Sequence, residues 1–326
     1  MHSADSAGPV EGLTYERLQV RGPSGPWRPL VGIIGLLALI VVGQLVLSSA
    51  VALALVVGGD SVGEATDALS GDPATPAFLA LVNLGWAVAI PMVWLVAWAL
   101  HRQRPGWVSS VVGTLRWRWL LVCLGLALAA LVVTVAVSSM LPDQGAGSVT
   151  ADDGLNPWTS ATRDFLLVIV LLTPLQAAGE EYVFRGYLAQ ALGGLTSRLG
   201  AAVSGAVAVV VPALLFALAH GLGQDLPIFI DRLAFGLVAG VLVLLTGGLE
   251  AGIAMHVLNN FLAFGLALAF GDMAESLQPT DGTWWSLPVT LTQSLTYLAL
   301  AFWVARRMGI QARTGGVILE ARRGRV

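Results

Sequence analysis

Eight stretches, near residues 30–56, 77–100, 117–140, 163–188, 200–220, 226–246, 250–270 and 286–305, are long apolar runs rich in Ala, Val, Leu and Gly, separated by polar segments. About 20 such residues, rising 1.5 Å each in a helix, cover the roughly 30 Å of hydrocarbon in a bilayer. The pattern predicts an all-α membrane protein, a polytopic bundle of about eight transmembrane helices. The first 28 residues mix Gly, Pro, Ser and charge without the apolar core of a secretory signal, and read as a polar, soluble N-terminal tail. Residues 29–159 then hold helices one to three and their loops, 160–270 a core of helices four to seven, and 271–326 the last helix and a basic tail. No strong internal repeat stands out.

Composition agrees with the pattern: of 326 residues, 56% are hydrophobic and 11% charged, against about one quarter charged in soluble domains. The lipid bilayer is therefore the expected surroundings, and no nucleic-acid partner is expected. The net charge of −3 hides an asymmetry, because all 17 basic residues are Arg. The segments after the first and third spans are acidic (Asp60, Glu64, Asp67, Asp72; Asp143, Asp152, Asp153). Arg102, Arg104, Arg116 and Arg118 follow the second span, and Arg306, Arg307, Arg313, Arg322, Arg323 and Arg325 lie at the C-terminus. The positive-inside rule puts both termini in the cytoplasm of a multi-pass cell-membrane protein, and an even number of spans agrees. An Arg-only, Ala- and Val-rich chain suggests a GC-rich bacterial genome. The single cysteine, Cys123, excludes an internal disulfide and a cysteine-based metal site.

The chemistry is confined to the second half, where spans four to seven carry Glu180, Glu181, Arg185, His220, Asp231, Arg232, His256, Asn259 and Asn260. A charge at the centre of a membrane helix costs about 2.5–3.5 kcal/mol even on lenient scales, so "AAGEEYVFRG" (177–186) needs a reason. Glu181 lies four residues before Arg185, the favoured acid-then-base spacing on one helix face, and that pair is expected to neutralise itself. Glu180 is turned about 100° away and is expected to lack a partner on its own helix. "FALAH" puts Phe216 one turn before His220, and "HVLNN" puts His256 one turn before Asn260. A carboxylate in an apolar pocket is a stronger base than one in water, which suits the activation of water. An imidazole N–H and an Asn amide can receive a developing oxyanion. The adjacent Asp231 and Arg232 diverge on a helix and read as interfacial, and Trp27, Trp284 and Trp285 read as membrane-edge anchors.

Taken in order, "EEYVFR" (180–185), "FALAH" (216–220) and "HVLNN" (256–260) resemble the three motifs of the CPBP (ABI) intramembrane proteases, the family of the type II CAAX prenyl endopeptidases. The resemblance covers about residues 160–264. It includes "TGGLE" before span seven, which carries Glu250 where the family has an aromatic residue. It implies that Glu180 and His220 activate the attacking water, that His256 and Asn260 stabilise the oxyanion, and that Glu181, Arg185 and Phe216 support them. The implied substrate is a peptide or membrane protein cleaved in or beside the bilayer.

Zinc would accept Glu180, His220 and His256 with an open fourth position, so a metal-dependent variant is conceivable. No His-Glu-x-x-His helix is present, and the expectation is a metal-free glutamate mechanism. Two other readings are a proton- or cation-coupled transporter, which paired broken helices would support, and a noncatalytic family member serving self-immunity to a secreted peptide. Span counting leaves a conflict, placing His220 near the outer end of span five and His256 near the inner end of span seven. They meet only if span five is displaced or the chain breaks around Pro212 and 221–223. All four residues are nonetheless expected in one polar cavity, opening toward the cytoplasm because Glu180 lies late in an inward-running span.

Overall fold

The computed structural model describes residues 12–23, 25–142, 154–221, 223–277 and 282–315. Asp143, Asp152, Asp153, Arg322, Arg323 and Arg325, used above for orientation, lie outside them. Among the described residues the protein is all α, and eight helices are long and apolar enough to cross a membrane.

A 3₁₀ segment, Tyr15–Arg21, precedes α1 (Trp27–Gly58). The short α2 (Val62–Ala68) begins with a capping box in which Ser61 and Glu64 exchange hydrogen bonds. Then follow α3 (Pro76–His101), a single turn α4 (Gly106–Ser109) and α5 (Trp117–Ser138). The fourth span is compound. α6 (Ser160–Glu181) continues through a π-helical turn, Tyr182–Leu188, into α7 (Ala189–Thr196) and a 3₁₀ turn, Ser197–Leu199. The second half comprises α8 (Ala201–Ala219), α9 (Leu226–Thr246), α10 (Glu250–Phe270), the short α11 (Met273–Leu277) and α12 (Ser286–Met308).

α6 packs between α3 and α10, α8 pairs with α9, and α5 and α9 both lie along α12. α1 stands at the periphery against α3, with Ile34 and Leu37 facing outward, as Leu121 does on α5. Such outward apolar side chains suit lipid rather than water. Helices approach closely where a side chain is missing. A Cβ on Gly179 would meet the Trp86 carbonyl oxygen at 2.0 Å, so α3 and α6 touch backbone to backbone there. On α9, Gly236 and Gly240 sit four apart and lie against Ala213 and Val209 of α8, the small-residue spacing common between membrane helices.

The fourth span is longer than its apolar run. Expected to end at 188, it forms a rod of 40 residues, Ser160–Leu199, and turns back only at Gly200, whose φ of +98° suits glycine. The extra turns escape apolar periodicity because protein, not lipid, covers them. The Tyr15–Arg21 segment packs on α7, and Gly193 admits it so closely that a Cβ would lie 2.5 Å from the Glu16 carbonyl oxygen. Part of the expected soluble tail is thus docked: Tyr15 is fully buried, with its hydroxyl on the Val108 carbonyl. The segments before α1 and after α12 also meet. Leu13 N–H donates to Thr314 Oγ1 at 2.9 Å, and Thr314 N–H donates to the Leu13 carbonyl at 2.9 Å.

Glu250, the departure noted in "TGGLE", is wholly buried at the start of α10. It accepts from Arg116 N–H and Nε at 2.8 and 2.9 Å, and its other oxygen accepts from Nη2 at 2.6 Å. Arg116 Nη1 also donates to the Thr246 and Gln311 carbonyls. One forked cation thus ties α5, α9, α10 and the segment after α12 together.

Candidate active site

α6 presents two chemistries on two faces. Gln176 and Glu180 lie one turn apart, and the Gln176 amide nitrogen donates to Glu180 Oε1 at 2.5 Å. Glu180 therefore has a partner on its own helix, contrary to expectation. A carboxylate only accepts, so this contact fixes the amide's orientation and turns Gln176 Oε1 the other way. There it accepts from Asn260 Nδ2 at 2.9 Å, and Asn260 Oδ1 accepts from Asn259 Nδ2 at 3.3 Å. A directed chain of amides thus runs from α10 to the carboxylate. Glu180 Oε2 makes no hydrogen bond within the protein.

The other face holds Glu181, fully buried, whose Oε1 accepts from Arg185 Nη1 at 3.0 Å as the spacing predicts. The same oxygen faces His256 Nδ1, also at 3.0 Å. Because His256 Nε2 lies 3.5 Å from Glu180 Oε2, the imidazole stands between the two glutamates. α10 can come this near because residue 252 is glycine: a Cβ there would sit 2.6 Å from Glu181 Oε2.

Phe216 joins the two faces. Its ring lies under the Arg185 guanidinium, 4.2 Å from centroid to Cζ, a cation–π contact in a desolvated setting. His220 and His256 both meet the same ring edge-on, at centroid distances of 4.5 and 5.9 Å. His220 Nδ1 is 2.8 Å from the Phe216 carbonyl. A carbonyl only accepts, so Nδ1 carries the proton and Nε2 keeps its lone pair.

Glu180, His220, His256 and Asn260 all line one cavity of about 260 Å³. The span-count conflict resolves through the hairpin of α6–α7 with α8. Ser204 donates to the Gly193 carbonyl near the turn. Farther up, Phe184 and Phe216, each sixteen residues from Gly200, meet ring to ring at 5.4 Å. Glu180 and His220 are each twenty residues from Gly200, so the same register brings them level. The long rod before it sets this register, with His220 at the end of α8 against the Phe216 ring.

The cavity is expected to open toward the basic, cytoplasmic end. Its remaining walls come from the first turns of α3 (Leu79, Val82, Asn83, Trp86), the start of α9 (Asp231, Arg232) and the later part of α10 (Ala263, Phe264), with Ser276, Leu277 and Thr290. These lie toward the end of the bundle opposite Arg28, Arg102, Arg116 and Arg306. Glu180 is midway along a 40-residue rod rather than late in a short span, and much of the remaining lining lies beyond it along the bundle. Asp231 and Arg232, read as interfacial, stand in the cavity wall. Gln176, Asn83 and Trp86 were missed. Only Gln176 carried a signal, its four-residue spacing before Glu180.

Among the described residues no three His, Cys, Asp or Glu groups are placed to hold a metal ion, and both ring nitrogens of His256 face carboxylates.

No solved structure matches the chain. A protein of Bacillus subtilis (strain 168) described as Uncharacterized protein YyaK is 24% identical over 309 residues, 88% of this chain and 95% of that one. Residues 162–262, which contain Gln176, both glutamates, Arg185, both cavity histidines and Asn260, match the family described as Type II CAAX prenyl endopeptidase Rce1-like.

Proposed function

We propose that the protein is an intramembrane endopeptidase in which Glu180 and His220 jointly activate water. The observation that carries this reading is the convergence on one cavity of a carboxylate oxygen that makes no hydrogen bond within the protein and an imidazole whose Nδ1 is held by a carbonyl. A base must come within about 2.6–3.2 Å of its water, and in this proposal Glu180 and His220 hold that water from the walls of their shared cavity.

The water oxygen attacks the carbonyl carbon of the scissile peptide bond as its proton passes to this pair. The oxygen that becomes negative accepts from the second amide N–H of Asn260, the first being given to Gln176. The proton then goes to the peptide nitrogen, the C–N bond breaks, and a carboxylic acid and an amine leave. His256, expected at the oxyanion, is better used between the glutamates, where it holds Glu180 in place. Glu181, Arg185 and Phe216 hold His256 in turn. We assign no metal to this cycle.

With the basic ends cytoplasmic, the cavity faces the extracytoplasmic side, and the substrate is a peptide segment reaching that half of the membrane. The prenyl group in the family's description is not part of this proposal. The test is a comparison of protein termini in membranes of cells carrying the wild-type chain, none, or Glu180→Gln, with insertion and folding of the variant checked by gel filtration. A cleavage product present with the wild type and missing from the other two is expected. Its persistence with folded Glu180→Gln removes the catalytic assignment, and its absence from all three favours the noncatalytic reading.

A further inference from the structure

Arg232 stands in the wall of the cavity that holds Glu180 and His220. Among the described residues it makes no hydrogen bond and no ion pair with a carboxylate. An arginine brings five N–H donors, and a charge within a membrane helix is costly unless something answers it. Its neighbour Asp231 is rotated about 100° away on α9, and Asp231 Oδ1 is itself buried without a hydrogen bond. By contrast, Arg185 and Arg116 are engaged, one by Glu181 and the other by Glu250. Arg232, in the cavity wall, is held by no such fork, with the adjacent Asp231 as its nearby counter-charge.

We propose that Arg232 is an anion subsite of this cavity, binding a carboxylate of the peptide substrate. One planar fork matches one carboxylate through two parallel hydrogen bonds, and a peptide offers that group at its C-terminus or on an acidic side chain. Arg232 and His220 line the same cavity, so a carboxylate held at Arg232 shares that space with the bond being cut. Arg232 would thereby select substrates by the position of a negative charge relative to the scissile bond. This rests on the endopeptidase reading, but it can be tested separately.

The test uses the full chain in nanodiscs, carrying Glu180→Gln so that binding is read without turnover. The probe is a fluorescein-labelled apolar decapeptide in four forms, with a free or amidated C-terminus and with Glu or Gln at one internal position; anisotropy gives Kd. A hydrogen bond to a charged group corresponds to about tenfold or more in affinity. The expected result is that preference for one anionic form over its neutral counterpart, its loss with Arg232→Gln, and its partial return with Arg232→Lys. The favoured form identifies the carboxylate as terminal or side-chain. Equal binding of all forms, no binding of any, or a preference unchanged in Arg232→Gln overturns the subsite. Hydrolysis by the wild-type chain is not involved in any of these outcomes, so the subsite can fail while the peptidase reading stands.

Discussion

Glu181 is held by Arg185 from its own helix and by His256 from α10, with the Gly252 backbone pressed against its second oxygen. Replacing it by Gln leaves Arg185 buried without its counter-charge, an uncompensated loss that typically costs about 3–5 kcal/mol. Glu181→Gln is therefore expected to unfold at clearly lower temperature in detergent. An unchanged Tm with activity abolished would instead make Glu181 a direct participant. Metal dependence is decided at the same scale. Because both His256 nitrogens address carboxylates, exhaustive chelation should leave activity intact and elemental analysis should find well under one zinc per chain. Loss of activity that zinc restores would reverse that assignment. The three motifs could be found in the sequence because acids, histidines and amides stand out in apolar helices. Gln176 could have been paired with Glu180 by the same four-residue spacing that paired Glu181 with Arg185. Asn83 and Trp86 could not, since nothing local distinguishes a cavity-facing residue of α3 from one packed on α6.

At the scale of elements, most span boundaries were legible to within a few residues because the lipid-facing surface imposes apolarity. The exception explains itself. α7 reads AQALGGLT, with Gln190 buried under protein, so the apolar signal fades while the helix goes on. That hidden length sets the register of the α6–α7–α8 hairpin. One alanine inserted between Gly193 and Gly194 slides one arm by about 1.5 Å and rotates it by about 100°, and should abolish cleavage in a protein that still inserts. A second alanine after Ala206, in the opposite arm, should restore part of the activity. Full activity in the single insertion would show that the hairpin does not set the site.

For the whole molecule, most described basic residues at helix ends cluster at one end, with Arg28, Arg102, Arg104, Arg116, Arg118, Arg198, Arg306 and Arg307, while Asp60, Glu64, Asp67, Asp72, Asp225, Asp272 and Glu275 lie at the other, where Arg163 pairs with Asp164. The cavity belongs to the acidic end. A cysteine at Ser276, on its rim, should react with a membrane-impermeant maleimide in intact cells, and one at Gln311 only after permeabilisation. Cys123 is buried and contributes little background. The opposite pattern would return the cavity to the cytoplasm. The turn at Gly200 lies on the other side from that rim, about 30 Å of helix from Glu180 and from His220 alike. The two arms therefore form a caliper whose jaws carry Glu180 and His220 and whose pivot is at the far end of the helices. Length changes between Glu180 and His220 can persist only in matched pairs, one in each arm, and a partner protein that grips the pivot could move the jaws without ever touching a substrate.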